Sequence, residues 1–480
     1  MVDSMRGFLH NWGWEVLCLA VLVCLVGYQI FLPPVTGLAN NFDFSKVLGI
    51  FSLCGVDHEA KNNQFLITDY VVEPRCAVDQ GLTSIETPFV AAALRLSERY
   101  IAPGKMDLRV LGAIHLAILA LGFALMLGLT RHGPPVLRFG IPALFILIFS
   151  DVAYTGYLNS VYMDAPAMVL LVAATAIAAI ACYTHHSRII SGGYLILGVA
   201  LVFSKSQHAL LGLAFAGVAV AFACRPAERM VRVEWTLVAM LLTGSSFWML
   251  MLTPGSFKIN PLFDVIFSRL MPHSDAPWDV IKEVGLSEDD LKYLGSHSYL
   301  PTSPVNDPKY VESFLQRTSF TKVAVFYLHH PDVAFSELHR DLVNAAPVLR
   351  PKDMPNYREQ DGFPPGTMAT RFSLWSNVRS WVLRVFPYSD VLLFVAPWIL
   401  LATPWRSRFQ PLLPLLLALS AAGIIEFCFS ALLDALDNSR HLFIFQVLTE
   451  LMILLYAAAL ARSRTRATAF RTKRAALRAR

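Results

Sequence analysis

The chain has 480 residues, 55% of them hydrophobic and 16% charged, with a formal net charge of +5. That balance excludes an ordinary soluble domain, because the apolar residues gather in runs of about eighteen or more, the length that crosses a ~30 Å hydrocarbon core. Seven cysteines in so long a chain also exclude a scaffold built on disulfides.

The pattern is that of an all-α polytopic membrane protein with about ten spans. In chain order they fall near 15–33, 107–129, 136–150, 164–183, 189–204, 207–224, 234–252, 386–402, 411–433 and 441–461. The third and fifth are short and read as tilted or partly re-entrant. The first apolar run, VLCLAVLVCLVGYQIFLPP, lacks a small-residue cleavage site and leads into Pro33 and Pro34, so it reads as a retained helix. The chain divides into an N-terminal transmembrane module, 1–252, that includes a first outer loop, 34–106. An extracytoplasmic segment, 253–385, C-terminal helices, 386–461, and a basic tail, 462–480, follow.

Orientation follows from the basic residues of the short loops. Arg131 and Arg138, then Arg188, then Arg225, Arg229 and Arg232, then Arg406 and Arg408 mark alternate loops on one side, and the tail ARSRTRATAFRTKRAALRAR joins them. That side reads as cytoplasmic, with both termini on it. Opposite lie DVAYTGYLNSVYMDAP, SKSQH and DALDNSR, with only Lys205 and Arg440 among them. The tail reads as a topology signal touching anionic lipid headgroups, at ~1 kcal/mol per charge, rather than as a nucleic-acid site.

Cys18, Cys24, Cys182, Cys224 and Cys428 lie in or beside spans and serve as small apolar residues. Cys54 and Cys76 share the first outer loop, on the oxidising side, where a disulfide closing a loop of about twenty residues is worth roughly 3 kcal/mol.

Asp43, Asp151, Asp164, Lys205, His208, Asp434, Asp437, Arg440 and His441 all fall at the outer ends of spans. Ionisable groups beside a bilayer are costly and tend to face a functional cavity; the plainer reading is that each solvates a helix end. No nucleoside triphosphate is available outside the cytoplasm, and the chain has neither a Walker loop nor a GxGxxG opening a helix. An enzyme on this face therefore needs an activated substrate already in the membrane, such as a sugar on a polyprenyl phosphate. Transfer needs a carboxylate to take the acceptor's hydroxyl proton and cations to hold the leaving phosphate. Asp43 supplies the first, and Lys205 and Arg440 the second. In LDNSRHLFIF, Asn438 or Ser439 is an N-cap candidate that would put Arg440 and His441 in a first helical turn facing the phosphate. The alternative is that Arg440 pairs with Asp437 or Asp434 to close a turn. Phe42 and Phe44 flank Asp43 and would limit water, raising its pKa, while Lys46 or Arg440 would lower it.

The segment 253–385 reads as loops and short helices, with a capping box from Ser287 to Asp290 in LSEDDLKYL and a helix break at Pro331. Trp278, Tyr293, Tyr299, Tyr310, Tyr357, Trp375 and Trp381 are candidates for stacking on sugars, most of them better explained as core or interface anchors. His329, His330, His339 and Glu337 lack zinc spacing.

An acidic residue just after the first span, a second in the next outer loop and a large late outer segment resemble the GT-C superfamily of polyprenyl-dependent glycosyltransferases. More closely, NNFDFSKVLGIFSL, SDVAYTGYLNSVYMDAP, FSKSQHALLGL, FYLHHPDVAF and DNSRHLFIFQVLTEL, in that order, resemble the bacterial glycan-biosynthesis hexose transferase family. The resemblance covers most of the chain, and the order of the motifs carries it. It implies a GT-C-like fold with Asp43 as catalytic base and Asp151 or Asp164 as the second acidic position. It further implies Lys205, Gln207 and His208 at the donor, and Arg440 with His441 near the leaving phosphate. Two departures stand out: Phe42 where a glycine or small residue is usual, and Asp164 where Glu is common.

The expected activity is transfer of a hexose from a polyprenyl-phosphate donor to a surface-glycan or lipid-linked acceptor, with inversion, at the outer face of a bacterial cytoplasmic membrane. Magnesium or manganese between Asp43 and Asp151 or Asp164 would suit hard oxygen ligands. Lysine and arginine suffice for a monophosphate leaving group, so the metal stays open. Rival functions are a flippase or exporter of lipid-linked sugars, for which only Glu426 offers a mid-span charge, and a non-catalytic scaffold of an envelope assembly.

Overall fold

In a computed structural model the described residues are 2–478 except 57–62, 79–80, 132, 185–186 and 253. Side chains beyond residue 462 lie outside the described set, and with them the lipid contact expected of the basic tail.

The fold is helical throughout the membrane region, and each of the ten apolar runs forms helix. Seven helices among the described residues are long and apolar enough to cross a bilayer: Trp12–Phe31, Leu108–Thr130, Asp164–Tyr183, Ser206–Ala223, Arg229–Leu252, Leu413–Leu433 and Asn438–Arg462. The other three correct the count of about ten. The run at 136–150 becomes Val136–Phe149, bent by 65° against Val152–Leu158, and the run at 386–402 becomes Ser389–Leu401, bent by 83° against Leu374–Val385. Counting each bent pair as one span gives nine at most. The run at 189–204 is the 15-residue helix Arg188–Val202, about 22 Å long at 1.5 Å per residue and short of a ~30 Å core.

Asp164–Tyr183 is the central helix, with 94% of its apolar window buried. Its alanines explain why neighbours approach so closely, since small side chains let helix backbones pack against one another within a membrane. Opposite it in Leu108–Thr130, a Cβ on Gly122 would lie 3.1 Å from the backbone of Ala173, so a larger residue there would have to push the two helices apart by a few tenths of an ångström.

The 34–106 loop adds the only strands among the described residues. They form a three-stranded antiparallel sheet of β1 Leu53–Gly55, β2 Asp69–Val72 and β3 Lys105–Asp107, with Cys54 opposite Val71 and Tyr70 opposite Met106. Cys54 and Cys76 are disulfide-bonded with their Cα atoms 5.8 Å apart, tying β1 to the turn that follows β2.

In the 253–385 segment, Phe320–His329 and Pro331–Asn344 break at Pro331, and the Ser287–Asp290 capping box forms. Ile259–Leu270 and its neighbours build a separate apolar cluster around Phe263, Phe267 and Phe314, against which Leu432, Leu433 and Ala435 pack. A buried ion network fixes the same junction: Arg269 meets Glu337 at 2.5 Å and Asp341 at 3.0 Å and donates to the Asp434 carbonyl at 3.0 Å. On Leu374–Val385, Ser376, Arg379 and Leu383 face inward, whereas Leu374, Val378, Trp381 and Val385 are exposed. Arg379 bridges Glu450 at 3.0 Å and Asp390 at 2.9 Å, which holds this helix across the bundle rather than in line with Ser389–Leu401.

Candidate active site

The chain leaves the first helix as an extended strap laid across the bundle. Gly37 and Ala39 donate to the carbonyls of Asn356 and Pro355 at 3.1 and 2.9 Å, and Leu38 donates to Asn159 at 3.3 Å. A Cβ on Gly37 would stand 2.5 Å from the Asn159 carbonyl, so the strap can lie this close only with glycine there. The buried Asn159 amide donates to Ile30 and Thr36 at 2.8 and 3.0 Å and fixes the strap at its root.

The strap delivers Asp43 to a cavity of about 650 Å³. Phe44 is buried edge-on to Tyr162, with ring centroids 4.7 Å apart. Phe42 corrects the expected symmetry, being 57% exposed, so of the two flanking rings only Phe44 is buried. It also occupies the left-handed region with φ +78°, where a bulky side chain costs roughly 1–2 kcal/mol. The glycine usual in the resembled motif would relieve that cost.

Asp43 accepts from Lys46 Nζ at 2.5 Å and pairs through its other oxygen with Arg440 Nη1. Burial pushes this carboxyl up, but the Arg440 and Lys46 charges outweigh it and hold Asp43 well below the usual carboxylate range. Arg440 is nearly buried, lies 5.1 Å above the Tyr162 ring and reaches Asp437 at 3.5 Å. Both expected roles of this arginine are therefore present, facing the cavity and closing a turn.

The turn itself differs from expectation. Asp437, in a left-handed conformation with φ +57°, occupies the N-cap position, and the helical turn Asn438–His441 has four residues. Asn438 is no cap: its amide donates to Asp341 at 2.7 Å. Leu442 donates to the Asn438 carbonyl and Gln446 to the Leu442 carbonyl at 3.0 Å each, so the turn runs on into the last span, and Arg440 and His441 lie in its first turn as expected. Asn41 donates to Asp437 at 2.8 Å, so the strap and the turn are joined twice, by this bond and by the Asp43–Arg440 pair.

Across the cavity, Asp164 opens the central helix. One of its oxygens lies 3.3 Å from Lys205 Nζ and 3.2 Å from His208 Nε2. Gln207 lines the wall and donates to Ser430 at 3.0 Å. Asp43, Asp164, Lys205, Gln207, Arg440 and His441 thus all border one space.

Two expected site residues do not. His208 is fully buried behind the wall, bridging Asp164 to the mid-span Glu426 at 3.1 Å, so it supports Asp164 instead of meeting a donor. Asp151 caps Val152–Leu158 by accepting from the Ala153 N–H at 3.0 Å, and its other oxygen accepts from Ser376 N–H at 2.9 Å. Its oxygens serve a helix end, and Asp164 is the second acidic position at the cavity.

A divalent cation does not fit these carboxylates. Asp43 already faces two cations and Asp164 faces Lys205 and the His208 ring, and no group of three or more His, Cys, Asp or Glu among the described residues is arranged to hold a metal. The histidines of the 253–385 segment also part company: His330 meets Glu283 and His339 meets Tyr388, while Glu337 binds Arg269.

Several lining residues carry no sequence signal of their own. Lys46 was legible as a basic residue three positions after Asp43, but Lys258, Asn260 and Asp264 come from a segment whose fold places them. Of the aromatic candidates in 253–385, Tyr299 alone among the described residues borders the cavity. Asp434 and Asp437 also line it. Burial raises Asp434 to about 7 against the Ala435 N–H and the charges of Lys205 and Arg440. Burial and the neighbouring carboxylates Asp353 and Asp43 likewise raise Asp437, against Arg440. The remaining wall mixes apolar side chains, among them Leu82, Val161, Met163, Leu250, Phe257 and Phe429, with the hydroxyl residues Tyr162, Ser206, Ser319, Thr321 and Ser430.

The sequence matches the family described as the YfdI N-terminal transmembrane domain over residues 6–477. The chain belongs to that family. No curated protein and no solved structure matches it. Membership covers both the helical bundle and the 253–385 segment, so every residue of the cavity lies within the matched length.

Proposed function

We propose that this family member is a GT-C-type hexosyltransferase. It would move a hexose from a polyprenyl-phosphate donor to a surface-glycan or lipid-linked acceptor on the extracytoplasmic side of a bacterial inner membrane. The observation that carries the reading is the pairing of Asp43 with Arg440 on the wall of a cavity that also presents Lys205 and Lys258 and, beside its other carboxylates, an apolar stretch that includes Leu82, Val161, Leu250 and Phe429. An anionic head on an apolar tail is the ligand such walls complement.

The chemistry follows from the contacts. A donor phosphate would draw Arg440 and Lys205 toward its oxygens. Asp43 would lose part of the field that holds its pKa down and gain basicity when the donor is present. The acceptor hydroxyl gives its proton to Asp43 while its oxygen bonds to the anomeric carbon from the side opposite the phosphate. The anomeric carbon–oxygen bond breaks with its electron pair passing to the phosphate, so the configuration inverts. Lys205 and Arg440 stabilise the phosphate monoester that leaves.

The test is transfer of labelled hexose from a polyprenyl-phosphate donor by purified protein in liposomes, together with mass spectrometry of envelope glycans with and without the gene. Loss of one hexose from a glycan, and transfer in vitro, support the reading. Movement of intact lipid-linked sugar across the bilayer without transfer would replace it with a flippase, and neither activity with an altered envelope would indicate a scaffold.

A further inference from the structure

The proposed reaction leaves a proton on Asp43, on which Lys46 presses throughout and Arg440 presses again once the phosphate has left. The leaving phosphate, if held by Lys205 and Arg440, is also made less basic. A seat for the proton is needed elsewhere in the same cavity. Asp164 is taken up by Lys205 and His208, Asp264 accepts from Ser298 N–H and Oγ at 2.6 Å each, and Asp437 accepts from Asn41 and faces the Arg440 guanidinium at 3.5 Å.

Asp434 differs from these. Its carboxylate has one ion partner within 4 Å among the described residues, the His441 ring, with Nε2 at 3.0 Å from Oδ2, and its Oδ1 accepts from the Ala435 N–H at 2.9 Å. Arg440 Nη2 lies 3.3 Å from the same His441 Nε2. A guanidinium only donates, so toward Arg440 this nitrogen offers its lone pair and the ring hydrogen is on Nδ1, which is buried without a hydrogen-bond partner among the described residues. A proton taken up by the pair is then held by the carboxyl. The charged and titratable groups facing the pair are Lys205 from the opposite wall, Arg440 beside it, and more distantly Asp164 and Asp43. Tyr299 stands within the fields of both Asp43 and Asp434, and Arg269 holds the Asp434 backbone carbonyl.

We propose that the Asp434–His441 pair is the proton seat of the site, the group that receives, by way of Asp43, the proton lost by the acceptor hydroxyl. The proposal rests on the transfer reading above. The balance is closed: a neutral acceptor, a phosphodiester monoanion and the Asp434 carboxylate give the glycoside, a phosphate monoester dianion and the Asp434 carboxylic acid. The acid then returns its proton to cavity water.

The full-length protein in lipid nanodiscs tests this in two ways. Infrared difference spectra should show a protonated-carboxyl C=O band that fades as pH rises through about 7, is missing in Asp434→Asn and shifts its midpoint in His441→Gln. With labelled donor and acceptor, the parent rate should rise through the same range to a plateau. Asp434→Asn should flatten that profile and lower the plateau about tenfold, at the weak end for a proton-transfer group. A titrating band that persists in Asp434→Asn, or a parent-like pH profile in that variant, overturns the proposal. If the parent transfers no hexose the functional reading fails, and the infrared titration still decides whether the pair holds an exchangeable proton.

Discussion

Asp43→Asn isolates the carboxylate's charge from its shape. The amide fills the same volume between Phe44 and the cavity but accepts no proton, so hexose transfer should fall by at least ~10²-fold, about 2.7 kcal/mol of transition-state free energy. The variant also removes the anion that faces Arg440 Nη1, leaving Asp437 at 3.5 Å as that guanidinium's remaining carboxylate. Breaking a buried ion pair costs about 3–5 kcal/mol, but the Asp43 side chain is 18% exposed, and a loss of roughly 1–2 kcal/mol is the fitting expectation. Donor affinity should hold or improve, because Arg440 is released to the phosphate. The sign of the pH effect is fixed by the depressed pKa of Asp43: its stabilisation is fully present above the unfolded carboxyl's value and is lost only as pH falls below it. At neutral pH, parent and variant should therefore differ in melting temperature, and the difference should shrink in acid. Single-turnover transfer and donor binding in liposomes separate the two effects. Transfer near the parent rate would refute the base assignment and leave Asp43 as an anchor for Arg440.

Reporter fusions after Arg232 should report cytoplasm and one near Asp307 the outer side; a cytoplasmic signal at Asp307 would remove the extracytoplasmic reading. Thiol labelling of unreduced protein should miss Cys54 and Cys76, and replacing both with serine should cost about 3 kcal/mol in stability; ready labelling of either would refute the bond as a native feature. Phe42→Gly should raise stability by about 1 kcal/mol in thermal or denaturant melts, because φ +78° suits glycine. A lower melting temperature would mean that the exposed ring makes a stabilising contact with lipid. Glu426→Leu should destabilise the fold by about 3 kcal/mol or more, since it leaves the fully buried His208 with a single carboxylate partner; an unchanged melting temperature would show that the bridge carries no load.

The motif-bearing residues are short stretches whose chemistry is written locally. An acidic residue after the first span, a basic residue between two helices and an arginine at the start of the last are visible as charges at the edges of apolar runs. Asp43, Asp164, Lys205, Gln207, Arg440 and His441 could be chosen on that ground, and the cavity does gather them. Asp151 and His208 carry the same signal with a different outcome. An aspartate before a helix is equally a cap and a site residue, and which way a histidine turns at a helix end depends on what packs behind it. In this chain Ser376 and Glu426 decide, from 225 and 218 residues away.

Apolar run length and the placement of charges are properties of a linear chain in a low-dielectric slab, where each unpaired polar group is expensive, and so the sequence by itself determined the class of the protein and where along the chain its apolar helices fall. It also placed the two cysteines in one loop. Tertiary structure decided what depends on direction and on distant partners: that two runs bend by 65° and 83°, that Phe42 turns outward and Phe44 inward, and that Arg440 closes on Asp43 across 397 residues. Those outcomes come from packing and from the pairing of buried charges, whose energies depend on separations of a few ångströms that no spacing along the chain encodes.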